Sequence, residues 1–92
     1  MEIIWSPLAI NDLEEIGDFI AQDNPTRAVT FVDELITTVE KLIKYPESGP
    51  LAEENPIFRQ ITNQGYRLIY QLRSKKILII TLLGPGRVLK KA

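Results

Sequence analysis

The residues best suited to chemistry gather in one half of the chain. From Asn55 to Ala92 there are eight bases, Arg59, Arg67, Arg73, Lys75, Lys76, Arg87, Lys90 and Lys91, and no acid. All 12 acids lie within residues 1–54, beside only Arg27, Lys41 and Lys44. The halves therefore carry −9 and +8, a division that the net charge of −1 conceals. A basic surface attracts phosphate backbones and acidic protein segments through the same long-range field, so charge alone leaves both partners open. Arg59, Arg67 and Arg87, with Lys90 and Lys91 of the tail, are candidates for such an anion-facing or partner-facing surface. A guanidinium suits this work because it donates two parallel hydrogen bonds to phosphate or carboxylate oxygens.

The residue types that are missing narrow the chemistry further. Without cysteine or histidine the chain has no thiolate nucleophile, no Ser-His or Cys-His pair and no ordinary zinc ligand set. No metal or cofactor is expected. General acid–base work would fall to Arg, Lys, Tyr or carboxylates, and an unperturbed ammonium group, with a pKa of about 10.4, makes a poor base at neutral pH. The longest apolar run, Ile77 to Leu83 with one Thr inside it, is far short of the roughly 20 residues that span a bilayer. Met-Glu-Ile-Ile-Trp lacks the pattern of a signal peptide. A cytoplasmic protein without membrane contact is expected.

These residues need elements to hold them. Glu2 to Trp5 reads as a short strand closed by Ser6-Pro7, where Ser can cap a helix and Pro suits its first turn. Ala9, Leu13, Ile16 and Ile20 then recur at helical spacing, with Asp12, Glu14, Glu15 and Asp18 on the solvated side. Asn24-Pro25 opens a second helix, whose apolar positions Ala28, Val29, Phe31, Val32, Leu35, Ile36, Val39, Leu42 and Ile43 form an arc wide enough to touch both the first helix and a sheet. Tyr45-Pro46 to Pro50 breaks the helix, and Leu51 to Pro56 reads as irregular and acidic. Three strands follow: Ile57 to Thr62, Tyr66 to Arg73 and Ile77 to Leu83, joined at Asn63-Gln64-Gly65 and Ser74-Lys75-Lys76 as an antiparallel meander. Alternation along the middle strand sets Tyr66, Leu68, Tyr70 and Leu72 toward the helices, as core residues and not as stacking platforms, and sets Arg67, Ile69, Gln71 and Arg73 on the other face. A regular register would bring Arg59 beside Arg67. The last strand is apolar on both sides, as expected for a strand with neighbours on both edges. Residues 1–92 form one domain of the α+β class, a helical hairpin on a curved antiparallel sheet in the order β-α-α-β-β-β.

Trp5-Ser6-Pro7-Leu8-Ala9 followed by Asp12-Leu13, then Asn24-Pro25, the Tyr45-Pro46 break with Gly49, the strand Tyr66-Arg67-Leu68-Ile69-Tyr70 and the Gly86-Arg87 ending together resemble the RelE/ParE toxins over nearly the whole chain. The resemblance implies the toxin of a type II toxin–antitoxin pair, silenced by a cognate antitoxin in a higher-order hetero-oligomer. It implies one of two activities, because a shared fold does not settle the reaction. RelE-like members cut messenger RNA on the ribosome, and in them Arg67 and Arg87 correspond to arginines at the scissile phosphate. ParE-like members are not hydrolases and poison DNA gyrase. RelE-like nucleases typically add a C-terminal Tyr or His, or a lysine cluster, and this chain has no His, no Tyr after Tyr70, and only Lys90 and Lys91 in the tail. That departure favours the ParE-like, non-enzymatic reading. Gly84-Pro85 stands where many ParE sequences carry His before the terminal Gly-Arg.

Overall fold

Ser6 sets the geometry of the N-terminal third. Its extended backbone ends strand β1 (Glu2–Trp5), and its Oγ accepts a hydrogen bond from the Ala9 N–H at 2.9 Å, capping helix α1 (Pro7–Ala21) one residue before Pro7. Asn24 repeats the device for helix α2 (Pro25–Glu40), its Oδ1 accepting from the Arg27 N–H at 3.0 Å. Each cap satisfies an N–H that the first helical turn leaves without a partner, and Pro follows where its missing N–H costs nothing. The computed structural model describes residues 1–90. Lys91 therefore lies outside the described residues.

Strands β2 (Arg59–Asn63), β3 (Tyr66–Arg73) and β4 (Lys76–Leu83) form the meander expected from the sequence. Both hairpins close through two residues with positive φ, Gln64-Gly65 (53° and 85°) and Ser74-Lys75 (52° and 61°). This is the turn geometry whose twist matches that of paired strands. Lys76, read as part of the second turn, is instead the first residue of β4. The first meander strand also starts later than expected. Asn55-Pro56-Ile57-Phe58 forms a turn, with the Ile57 N–H donating to Asn55 Oδ1 at 3.1 Å and the Phe58 N–H to the Asn55 carbonyl at 3.0 Å. Asn followed by Pro favours this turn over an extended chain.

The strand order is β1-β4-β3-β2. β1 pairs with β4 in parallel, Ile3 beside Ile77 and Trp5 beside Ile79, so the sheet is mixed, where the meander alone is antiparallel. Parallel neighbours need a long crossover, and here the helical hairpin and the first two meander strands intervene. β4 thus sits between β1 and β3, and its apolar character on both sides follows. One helical face of the sheet meets α1 and α2 over Leu35, Val39, Leu42, Leu68, Tyr70, Ile77 and Ile79, all buried. The apolar arc of α2 is narrower than the sequence suggests. The α-helix ends at Glu40, a 3-10 turn covers Lys41–Ile43, and Val29 and Ile43 remain exposed while Leu42 is buried. No helix among the described residues is long and apolar enough to cross a membrane.

Candidate target-binding surface

The expected basic patch is divided by the pairing of β2 with β3. Arg59 stands opposite Tyr70, and Arg67 opposite Thr62. Residues directly opposite on an antiparallel pair share a face. Arg59 therefore belongs with Tyr70, Leu68 and Tyr66 on the helical face, and Arg67 belongs with Gln60 and Thr62 on the other. The expectation that Arg59 lies beside Arg67 is corrected on this point. The two-residue turn at Gln64-Gly65 forces the register, and counting back from it would have placed Arg59 correctly from the sequence. Arg59 donates from a terminal nitrogen to the Gly49 carbonyl at 2.8 Å and, at 3.5 Å, to that of Glu47.

These contacts belong to the Tyr45-Pro46 break. The Tyr70 hydroxyl, at the end of a fully buried ring, donates to the Pro46 carbonyl at 2.8 Å and accepts from the Gly49 N–H at 3.0 Å. Burial pushes the Tyr70 hydroxyl above its ordinary value of 10.0, against the hydrogen bond from Gly49 and the nearby Arg59. Gly49 is required by close approach: a Cβ there would lie 2.4 Å from the Gln60 carbonyl oxygen and 2.8 Å from the Tyr70 hydroxyl. The Tyr-Pro-x-x-Gly pattern is thus a structural lock between the turn and β3. From it the chain runs back along the outer edge of β2, with the Gln60 N–H on the Pro50 carbonyl at 2.9 Å and the Ala52 N–H on that of Phe58 at 2.8 Å.

Arg67 is held more tightly. Its two terminal nitrogens donate to both oxygens of Glu54, at 2.8 and 2.6 Å, and Nε and one terminal nitrogen donate to Gln60 Oε1 at 3.1 and 2.6 Å. The ion pair is shielded, its side chains 22% and 14% exposed. Glu54 also accepts the backbone N–H of Leu89 at 2.9 Å. Hydrogen bonds from Arg67 first, and then from the backbone of Leu89 and of Glu54 itself, hold the Glu54 carboxyl at about 2, against an ordinary 4.5. The same hydrogen bond raises Arg67 above the ordinary value of a guanidinium. Glu54, read from the sequence as part of an irregular acidic stretch, is therefore a specific partner of β3 and of the tail.

Arg87 is presented by a tight turn. Its N–H donates to the Gly84 carbonyl at 3.1 Å across Pro85-Gly86, with Gly86 at φ 77°. Pro at the second position and a positive φ at the third are the requirements of a type II turn, so this turn fixes where β4 ends and where Arg87 begins. The Arg87 side chain is exposed and makes no ion pair or hydrogen bond among the described residues. It rims a groove of about 570 Å³ between α1 and the end of β4, lined also by Asp12, Phe19, Tyr66, Leu82 and Pro85. Lys90 is likewise exposed.

Asp12 is the other residue whose role the sequence hides. Among the described residues, the edge of β4 beyond Trp5 has no strand beside it, and residues of the α1 start take over. Ser6 donates from N–H to the Ile79 carbonyl at 2.9 Å and from Oγ to that of Ile80 at 2.7 Å. Asp12 Oδ2 accepts the Leu82 N–H at 3.0 Å and the hydroxyl of buried Thr81. These contacts bracket the point where pairing with β3 skips Ile80, a bulge that increases the local twist as β4 approaches the Arg87 turn. The spacing Ser6, Ala9, Asp12 is one helix face meeting one strand edge.

The whole arrangement coincides with a known family. Residues 3–88 match the ParE toxin of type II toxin–antitoxin systems, parDE. The fold superposes on that of a chain from a chromosomal ParDE system of P. aeruginosa with a TM-score of 0.82, covering 94% of this chain and 97% of that one at 22% identity. Among curated relatives, Y4kP of Sinorhizobium fredii is 40% identical over 47 residues, 51% of this chain and 49% of its own length. Toxin RelE2 of Caulobacter vibrioides is 37% identical over 51 residues, 55% of this chain and 58% of its own. The chain spans about half the length of the curated relatives it matches. It belongs to the ParE toxin family of type II toxin–antitoxin systems.

Proposed function

We propose that the chain inhibits growth by binding DNA gyrase, acting as a ligand of that enzyme and not as a hydrolase. The observation that carries this reading is the state of Arg67. A ribosome-dependent nuclease would need this guanidinium on the scissile phosphate, and here Nε and both terminal nitrogens are committed to Glu54 and Gln60. Arg87 and Lys90, by contrast, are exposed. They form the target-facing part of the candidate set, whereas Arg59 is bonded to the Gly49 and Glu47 carbonyls on the helical face and Arg67 to Glu54 and Gln60 on the other. Lys91, also of that set, lies outside the described residues. A cation free of internal partners can engage acidic protein or DNA phosphate without first breaking a pair.

A cognate antitoxin completes the reading. An acidic, amphipathic segment, ordering as it binds, matches the basic end of the sheet and the exposed apolar residues Phe19 and Val88 nearby in the fold or on the tail. Such a complex forms a hetero-oligomer in the cytoplasm. The cellular test is induction of the toxin without antitoxin. Arrest with induced DNA damage and continuing translation is the expected result. Immediate translation arrest with cut messages and intact chromosomes would overturn the gyrase reading in favour of the RelE-like endoribonuclease.

A further inference from the structure

Glu54 joins three parts of the molecule at one carboxylate: the irregular segment after the Gly49 lock, strand β3 and the tail that carries Arg87 and Lys90. Both oxygens take a guanidinium nitrogen of Arg67, and Oε2 also takes the Leu89 N–H. Gln60 holds the same guanidinium from the neighbouring strand. Between the Arg87 turn and Leu89, this is the tail's hydrogen bond to the rest of the chain among the described residues. We propose that the Glu54–Arg67 pair is a clasp whose task is to set the direction of the tail, so that Arg67 acts on the target through Glu54 and the tail, as a positioning residue, and makes no contact with the target itself.

The geometry distinguishes this from a simple stabilising ion pair. A surface pair needs one contact between opposite charges. Here the carboxylate is oriented by a bidentate guanidinium, the guanidinium is oriented by Gln60, and the oriented oxygen meets a backbone donor two residues beyond Arg87. The Leu89 amide reads whether the clasp is closed. A charge-assisted hydrogen bond to a backbone N–H suppresses local opening roughly ten- to hundredfold.

The effect on activity rests on the gyrase reading, whereas the clasp itself does not, and the experiment separates them. The full chain is prepared as wild type, E54A, R67A, E54A/R67A and the exchanged pair E54R/R67E, and each is measured for amide exchange at Leu89 and for supercoiling inhibition. Roughly tenfold or greater loss of Leu89 protection is expected in both single variants and in the double variant, with Leu68 and Ile79 amides unchanged. The exchanged pair restores the ion pair but puts no acceptor opposite Leu89, so Leu89 stays unprotected even if thermal stability recovers. Inhibition should fall by one common factor in all four variants, because residues acting as a unit are non-additive. If E54A leaves Leu89 protected, there is no clasp. If R67A loses far more inhibition than E54A, Arg67 meets the target directly and the positioning role is wrong. If the wild type does not inhibit gyrase, the gyrase reading fails while the Leu89 measurement still decides the clasp.

Discussion

Replacing Tyr70 by Phe removes one oxygen atom from a fully buried ring and breaks both hydrogen bonds of the turn lock. The two partners are affected differently. Gly49 is buried, so its N–H loses the hydroxyl in a place closed to water, and an orphaned buried donor costs about 1–3 kcal/mol. Pro46 is half-buried, and its carbonyl can turn to solvent at smaller cost. The sum is about 2 kcal/mol. For a domain of this size about 1 kcal/mol moves Tm by roughly 4–8 °C, so Tyr70→Phe should melt on the order of 8–16 °C below wild type. Circular dichroism melts at pH 7 measure this directly, and amide exchange at Gly49 localises it. There is also a pH signature. Burial raises the folded Tyr70 above its unfolded value near 10.0, so its contribution is complete below pH 10 and declines as pH rises further. Wild type should lose stability above pH 10 more steeply than the variant. A Tm within 2 °C of wild type, with Gly49 still protected, would show that the hydroxyl does not hold the turn.

Gly49→Ala forces a methyl group against the Gln60 carbonyl and the Tyr70 hydroxyl, and should destabilise by about 1–3 kcal/mol in urea unfolding. Asp12→Ala strips the acceptor from the Leu82 N–H and the Thr81 hydroxyl, with an expected loss of about 2 kcal/mol and earlier exchange of the Leu82 amide than of the Leu68 amide. Glu54 is held at about 2 when folded against 4.5 ordinarily, so its stabilising contribution is full above pH 4.5 and disappears as pH falls toward 2. A pH series of melts should show wild type and Glu54→Gln converging over that window. Arg87→Ala, at an exposed side chain without internal partners among the described residues, should leave stability within about 0.5 kcal/mol of wild type while abolishing growth arrest on induction.

What the sequence makes legible depends on how local the signal is. Ser6-Pro7 and Asn24-Pro25 mark both helix starts because capping acts within three residues. The boundaries of β3 follow from alternation and from the turns at its ends. The parallel pairing of β1 with β4 has no local mark, since Glu2 and its partner Lys76 are far apart in the chain. Asp12 is hidden for a similar reason. Among Glu14, Glu15 and Asp18 it looks like one more solvated acid of α1, and only the missing strand beside Leu82 gives it a partner. The division of the chain into acidic and basic halves pointed to a free cationic surface. The fold sets Glu54 from the acidic half against Arg67 from the basic one, and so withdraws one arginine from that surface. The face that Arg59 takes is legible in the sequence, because a two-residue turn at Gln64-Gly65 determines it.

Binding of gyrase through the end of the sheet that presents Arg87 is the proposed activity of this ParE-family chain. Its most direct test is supercoiling of relaxed plasmid by purified gyrase and ATP, with wild-type toxin or the Arg87→Ala variant titrated to saturation. Wild type is expected to block supercoiling and accumulate cleaved plasmid, and the variant, equally folded, to do neither. Undiminished supercoiling without cleaved plasmid at saturating wild-type toxin would contradict it.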